Sequence, residues 1–113
     1  MITQFKKGAL KLCVLSLLNK KDCYGYEIVE IISRCIEVSE GTIYPLLRRL
    51  TKEGVCETYL KQSTEGPTRK YYRITKEGTS HYLELKKQWY DFQGNVNYIL
   101  EIEIKGVETN EKE

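Results

Sequence analysis

A mostly α-helical fold with one small β-hairpin is predicted for this 113-residue chain by three observations. Apolar residues recur at helical spacing in four separate stretches. Two runs rich in Thr, Tyr, Val and Ile flank the turn segment QSTEGP. Basic residues gather on the third helical stretch and on that hairpin, whereas the last stretch carries a heptad seam.

Leu10, Cys13, Val14, Leu17 and Leu18 sit at i, i+3, i+4, i+7 and i+8, which is one face of a helix over about residues 5–18. Residues 19–23 read as a polar turn. Ile28, Ile31, Ile32, Cys35 and Ile36 repeat the spacing and predict a second helix over 24–36. A third stripe at Ile43, Leu46, Leu47 and Leu50 has Ser39 as its natural N-cap and Gly54, after Lys52, as its stop. Pro45 interrupts that helix, because an interior proline removes one backbone hydrogen bond and crowds the preceding turn. Either Thr42 is the true cap and Pro45 lies in the first turn, or the helix starts at Ser39 and bends at Pro45; the second reading is preferred.

Residues 55–61 and 68–75 form the hairpin, in which strand alternation puts Arg69, Tyr71 and Arg73 on one face and Lys70 and Tyr72 on the other. Tyr72 is assigned to the core. Thr75 can cap a final helix whose residues Tyr82, Leu85, Trp89, Phe92, Val96 and Ile99 alternate steps of three and four. So regular a seam, placed after the globular unit, fits a partner helix better than the interior of a small domain, and it predicts a homodimer. Residues 1–75 are therefore expected to form a winged helix-turn-helix, and residues 76–113 a C-terminal dimerisation helix ending in the polar tail VETNEKE.

Net charge is only +2, but it is unevenly spread: residues 1–75 hold 13 Lys and Arg against 8 Asp and Glu, and residues 76–113 hold 5 against 8. A polyanion partner for the first part follows from that asymmetry. Cys13, Cys23, Cys35 and Cys56 lie far apart with no CxxC pair, and His81 is the only histidine, so neither a metal site nor a cofactor is expected. The cysteines read as reduced thiols, with Cys13 and Cys35 on apolar helix faces. No signal peptide opens the chain, and no apolar run approaches the ~20 residues that span a bilayer, so a cytoplasmic protein without membrane attachment is expected.

In a helix-turn-helix the second helix of the pair enters the major groove with its N-terminal side chains leading. Ser39, Glu40, Thr42, Tyr44, Arg48 and Arg49 lie off the apolar stripe of the third helix. Hydroxyls and backbone amides at a helix N-terminus suit phosphate, and arginine suits a guanine edge or phosphate. Lys61, Arg69, Lys70 and Arg73, interleaved with Tyr71 and Tyr72, make the hairpin a basic ribbon able to follow phosphates or enter a minor groove. Double-stranded DNA is the expected partner.

The pattern SEGTIYPLLRRLTKEG, at residues 39–54, followed by GPTRKYYRITKEG, at 66–78, resembles the PadR family of bacterial transcription regulators, and YGYEI at 24–28 fits the opening of that family's second helix. The resemblance implies a dimeric winged-helix repressor with Thr42, Tyr44 and Arg48 on the recognition helix, Tyr24 near the phosphates, and Arg69 and Lys70 on the wing. A single C-terminal helix resembles the short subfamily. In some of its members a tryptophan at the place of Trp89 pairs across the dimer around a pore for flat, often cationic ligands. Such a ligand gains from stacking and cation–π attraction, and from Asp91 or Glu84 if these face the cavity.

The function expected is a dimeric DNA-binding regulator, a repressor on a palindromic operator that is released by a small hydrophobic, aromatic or cationic effector. The alternative is a small-molecule-binding or protein-interaction module on a winged-helix scaffold without specific DNA binding. Catalysis is not supported. Ser80 beside His81 is a neighbour in sequence only, and the chain has no Gly-rich phosphate loop.

Overall fold

The computed structural model describes residues 3–105, in the order α1 (Thr3–Lys20), β1 (Cys23–Tyr24), α2 (Gly25–Ser33), α3 (Glu40–Lys52), β2 (Cys56–Lys61), β3 (Arg69–Ile74) and α4 (Lys76–Glu101). The predicted hairpin is β2 and β3, paired antiparallel from Cys56↔Ile74 to Lys61↔Arg69. A third strand joins it. Cys23 and Tyr24, read from sequence as the end of a turn and the start of a helix, pair with Tyr72 and Tyr71 and give the sheet order β1-β3-β2.

That strand shortens α2, which begins at Gly25 after Tyr24 in extended geometry and ends at Ser33. The periodicity nevertheless runs on to Cys35 and Ile36, whose N–H groups bond back to the Ile32 carbonyl in the turn beyond the helix. Cys35 is therefore exposed instead of lying on an apolar helix face, while Cys13 packs half-buried against the core. At the other end α1 continues past Leu18 to Lys20, whose ammonium donates to Ser16 Oγ at 2.9 Å.

The apolar stripes converge, although on α1 Leu15, off the predicted stripe, is buried while Cys13 and Leu17 on it are only half-buried. Leu10, Val14, Leu15 and Leu18 of α1 meet Ile28 and Ile32 of α2 and the Ile43, Leu46, Leu47 and Leu50 stripe of α3. Burying one such side chain contributes about 1.5–3 kcal/mol. Tyr72 closes the core from the sheet, and among the described residues no polar or charged side chain is buried.

α3 runs through Pro45, so Thr42 is not its cap. Ser39 occupies the N-cap position, but its hydroxyl makes no capping bond; its carbonyl accepts from the N–H groups of Thr42 and Ile43, both at 3.1 Å. The helix stops in a Schellman turn. Gly54, at φ 82°, supplies the left-handed residue, its N–H donates to Thr51, and the Val55 N–H donates to Leu50.

Thr75 ties this turn to the hairpin and to α4. Its N–H donates to the Val55 carbonyl at 3.1 Å, its hydroxyl donates to the Gly54 carbonyl at 2.7 Å, and the same oxygen accepts from the Gly78 N–H at 3.0 Å, capping α4. Gly78 has to lack a side chain, since a Cβ there would overlap the Val55 carbonyl oxygen.

α4 has 26 residues, about 39 Å of helix. Cover is fullest over its first turns: Gly78 and Tyr82 are buried and His81 is half-buried, whereas Phe92, Ile99 and Leu100 stand 57%, 67% and 74% exposed. The predicted polar tail, residues 107–113, lies outside the described residues. Gly78→Ala is expected to lower stability by about 1–3 kcal/mol in urea unfolding. Gly94→Ala, on the same helix but with nothing within 4 Å of the added Cβ, is expected to raise it by about 0.5–1 kcal/mol.

Candidate nucleic-acid interface

Burial of the α3 stripe turns Ser39, Thr42, Arg48 and Arg49 outward, and all four are exposed. Among the described residues neither arginine is ion-paired to a carboxylate. Both guanidinium groups face solvent. Tyr44 behaves differently. It is half-buried with its ring laid on the start of α2, so that a Cβ added at Gly25 would stand 2.6 Å from Tyr44 Cε1. Burial, and then the Glu40 carboxylate, push its phenol above the ordinary range. Glycine at position 25 thus lets the two helices of the motif approach with the Tyr44 ring between them.

The outer face of the sheet carries a row of tyrosines, one from each strand. Register sets Tyr24 opposite Tyr71 and Tyr71 opposite Tyr59. Tyr24 meets Tyr71 edge-on at 5.5 Å between centroids, and Tyr71 stacks on Tyr59 at 5.6 Å. Each ring holds a cation: Arg69 lies 4.5 Å over Tyr24, Lys61 5.3 Å over Tyr71 and Arg73 4.7 Å over Tyr59. An exposed contact of this kind contributes about 0.5–1 kcal/mol.

These cations are not equivalent. Arg73 Nε also donates to Glu57 at 3.0 Å, whereas Lys61, Arg69 and Lys70 have no carboxylate partner among the described residues. Lys61 and Arg69 flank a polar cavity of about 270 Å³ at the hairpin tip, together with Gln62, Ser63, Thr64 and Tyr71. Lys70 points from the opposite face, 6.0 Å from the Tyr72 ring. Tyr24 is fixed from behind, because Glu27 Oε1 accepts from its N–H at 3.4 Å while Glu27 Oε2 takes Lys21 at 2.6 Å.

Sequence reasoning missed Tyr59 and Asp22. The Tyr59 hydroxyl donates to Asp22 Oδ2 at 2.7 Å, which pushes the Tyr59 phenol above its ordinary range. The signal was available in part, since the hairpin register places Tyr59 beside Tyr71.

On α4 the expected seam divides. Tyr82 is buried in the core of the chain itself, with its hydroxyl donating to Ser16 Oγ at 3.5 Å, and so presents almost no surface outward. Leu85 packs half-buried against the same core, Trp89 and Val96 are half-buried, and Phe92 and Ile99 are exposed. Trp89 separates two apolar hollows. One, of about 340 Å³, lies against Cys13, Leu17, Ile31, Ile36 and Tyr90, and the other, of about 330 Å³, against Ala9, Leu12, Leu85 and Phe92. Neither Asp91 nor Glu84 lines them; Asp91 accepts from Lys87 and Glu84 from Gln88, each one helical turn away. The charge at the larger hollow is Lys86, which opposes a cation there.

All four cysteines are free thiols, and among the described residues no group of three or more His, Cys, Asp or Glu could hold a metal. Among them, too, no helix is long and apolar enough to cross a membrane.

Residues 14–84 match the model of the transcriptional regulator PadR-like family. A PadR-like transcriptional regulator from Bacillus cereus has a similar structure, with a TM-score of 0.83 and 41% identity over 89% of this chain and 100% of that one. An uncharacterised protein of Lysinibacillus sphaericus is 37% identical over 90% of this chain and 94% of its own length. Bacillus subtilis PadR, solved in complex with operator DNA, is 26% identical with a TM-score of 0.60, over 67% of this chain and 44% of that one.

If Tyr44 spaces the two helices, Gly25→Ala is expected to cost about 1–3 kcal/mol of stability. In a Tyr44→Ala background the same change is expected to cost less, and a double-mutant cycle by chemical denaturation measures the difference.

Proposed function

The chain belongs to the PadR-like family of transcriptional regulators, and on that premise we propose that it is a dimeric repressor that binds a palindromic operator and is released by a flat, apolar aromatic effector. Residues 1–75 are the DNA-binding unit, and residues 76–113 carry dimerisation. The family's members regulate transcription, and no catalytic role is assigned to this chain.

The observation that carries this reading is the placement of exposed cations with no carboxylate partner among the described residues on two neighbouring elements, Arg48 and Arg49 on α3 with Lys61, Arg69 and Lys70 on the wing, the two elements that a winged helix-turn-helix lays on a duplex. Leaving charges unpaired gains nothing for the fold, whereas each one placed on a phosphate releases a condensed counterion. α3 enters the major groove with Thr42, Arg48 and Arg49, and Ser39 at its N-terminus takes phosphate. Tyr24, Lys61, Arg69, Lys70 and Tyr71 contact the flanking backbone, and Tyr44 acts through packing. That Bacillus subtilis PadR was solved with operator DNA supports the assignment.

Two copies joined along the apolar end of α4, through Leu85, Trp89, Phe92, Val96 and Ile99, set half-sites about one helical turn apart. The hollows beside Trp89 supply the effector site, and Lys86 favours a neutral or anionic aromatic over a cation. Release requires only that the effector bind one dimer arrangement better than the other.

The test is enrichment of a duplex from a random pool, followed by titration of its affinity with salt. A preferred duplex whose binding weakens steeply with salt is expected. Equal, weak binding to every duplex would favour the interaction-module alternative. Arg69→Ala is expected to flatten the slope of log affinity against log salt by about 0.9, and Arg48→Ala to cost about 1–3 kcal/mol if it reads a base. Arg73→Ala, already tied to Glu57, is expected to leave the slope unchanged. Ile99→Asp is expected to give a monomer in sedimentation velocity and to abolish the preference for palindromes.

A further inference from the structure

We propose that Asp22 and Tyr59 are positioning residues for duplex binding, forming a side-chain strap across β3 that holds the tyrosine row on which Arg69 rests. The proposal deepens the DNA-binding reading and depends on it.

The strap has an unusual span. Asp22 immediately precedes β1 and Tyr59 lies on β2, and in the order β1-β3-β2 these are opposite edges of the sheet. Their 2.7 Å hydrogen bond therefore crosses the central strand and joins residues 37 apart in sequence. β1 has only two residues, so its backbone ladder to β3 is limited to Cys23↔Tyr72 and Tyr24↔Tyr71. A ladder that short resists twisting poorly. The Asp22–Tyr59 bond adds a third anchor, at the far edge, between the wing and the helix-turn-helix unit.

The strap also fixes a path to Arg69. Tyr59 lies nearly parallel to Tyr71, at 17°, Tyr71 meets Tyr24 edge-on, and Tyr24 lies under the Arg69 guanidinium. Each step is a van der Waals contact, so movement of the Tyr59 ring displaces the next. Arg73, over Tyr59 and bonded to Glu57, closes the row at its outer end.

An aromatic ring suits this task better than a carboxylate does. A carboxylate would orient Arg69 but cancel its charge and occupy its N–H groups. The ring orients the guanidinium through its quadrupole and leaves both the charge and the donors for a phosphate. Less side-chain freedom is then lost on binding.

The test uses the duplex that the wild-type chain enriches from a random pool. Tyr59→Phe keeps the ring and removes the hydroxyl, and Asp22→Ala removes the acceptor. Each is expected to weaken binding roughly three- to tenfold, the range that one lost hydrogen bond spans. Together they should weaken it no more than either alone. Asp22→Asn keeps an acceptor oxygen and is expected to retain most of the affinity. Because neither residue touches a phosphate, the salt slope should stay at the wild-type value in all of them, whereas Arg69→Ala flattens it. Thermal melts accompany each variant, and Tyr59→Phe alone carries the test if Asp22→Ala unfolds. Wild-type affinity in Tyr59→Phe would overturn the proposal. So would a flattened slope, which marks a direct phosphate contact. If the wild-type chain enriches no duplex, the DNA-binding reading falls first and the proposal falls with it.

Discussion

Thr75 is the residue on which the arrangement of the other elements depends. Its backbone N–H and its hydroxyl together bind the end of α3 to the root of the hairpin and to the first turn of α4. A hydroxyl can donate once and accept twice, and here one oxygen serves in both senses. Gly54 makes the carbonyl available by turning the chain through a left-handed residue, and Gly78 lets α4 come close enough to be capped. The end of α3, the root of the hairpin and the start of α4 all meet at this point, which fixes their mutual angles.

Among the described residues Arg48, Arg49, Lys61 and Arg69 have no carboxylate partner, whereas Arg73 is tied to Glu57. Arg69 and Lys61 are oriented by tyrosine rings, and Arg48 and Arg49 stand off the buried stripe of α3. Like charges left without partners repel one another and lower folded-state stability a little. The core is largely aliphatic, with Tyr72, Tyr82, Cys23 and Cys56 among its members and no buried polar or charged side chain among the described residues.

Much of this was legible in the sequence because it is periodic. The stripes of α1 and α3, the two hairpin strands, the Thr75 cap and the burial of Tyr72 all follow from spacing and residue type. Other features were hidden for identifiable reasons. A two-residue strand has no period, so β1 could not be seen, and its pairing took Tyr24 from the expected helix. Cys35 and Ile36 continue the spacing of α2 although the chain has already turned, since periodicity reports which residues face a core and not which backbone carries them. Tyr82 sits on the heptad seam in sequence, yet α1 reaches it first. The phase of Glu84 and Asp91 around α4 also depends on where that helix packs, which put Lys86 at the hollow in their place. The Asp22–Tyr59 bond joins residues too distant for any local rule.

The covered root and long free arm of α4 make it a lever with a stiff bearing. It reaches about 35 Å to Glu101 from a fulcrum at Gly78 that allows no slack against Val55. A sideways displacement of about 2 Å at the far end, the size common at shifting helix interfaces, is a rotation of about 3° at the fulcrum. The six-residue wing strands extend about 20 Å from the same point, so their tip moves by about 1 Å. If arm and wing turn as one body about that point, the wing tip travels a little over half as far as the end of the arm.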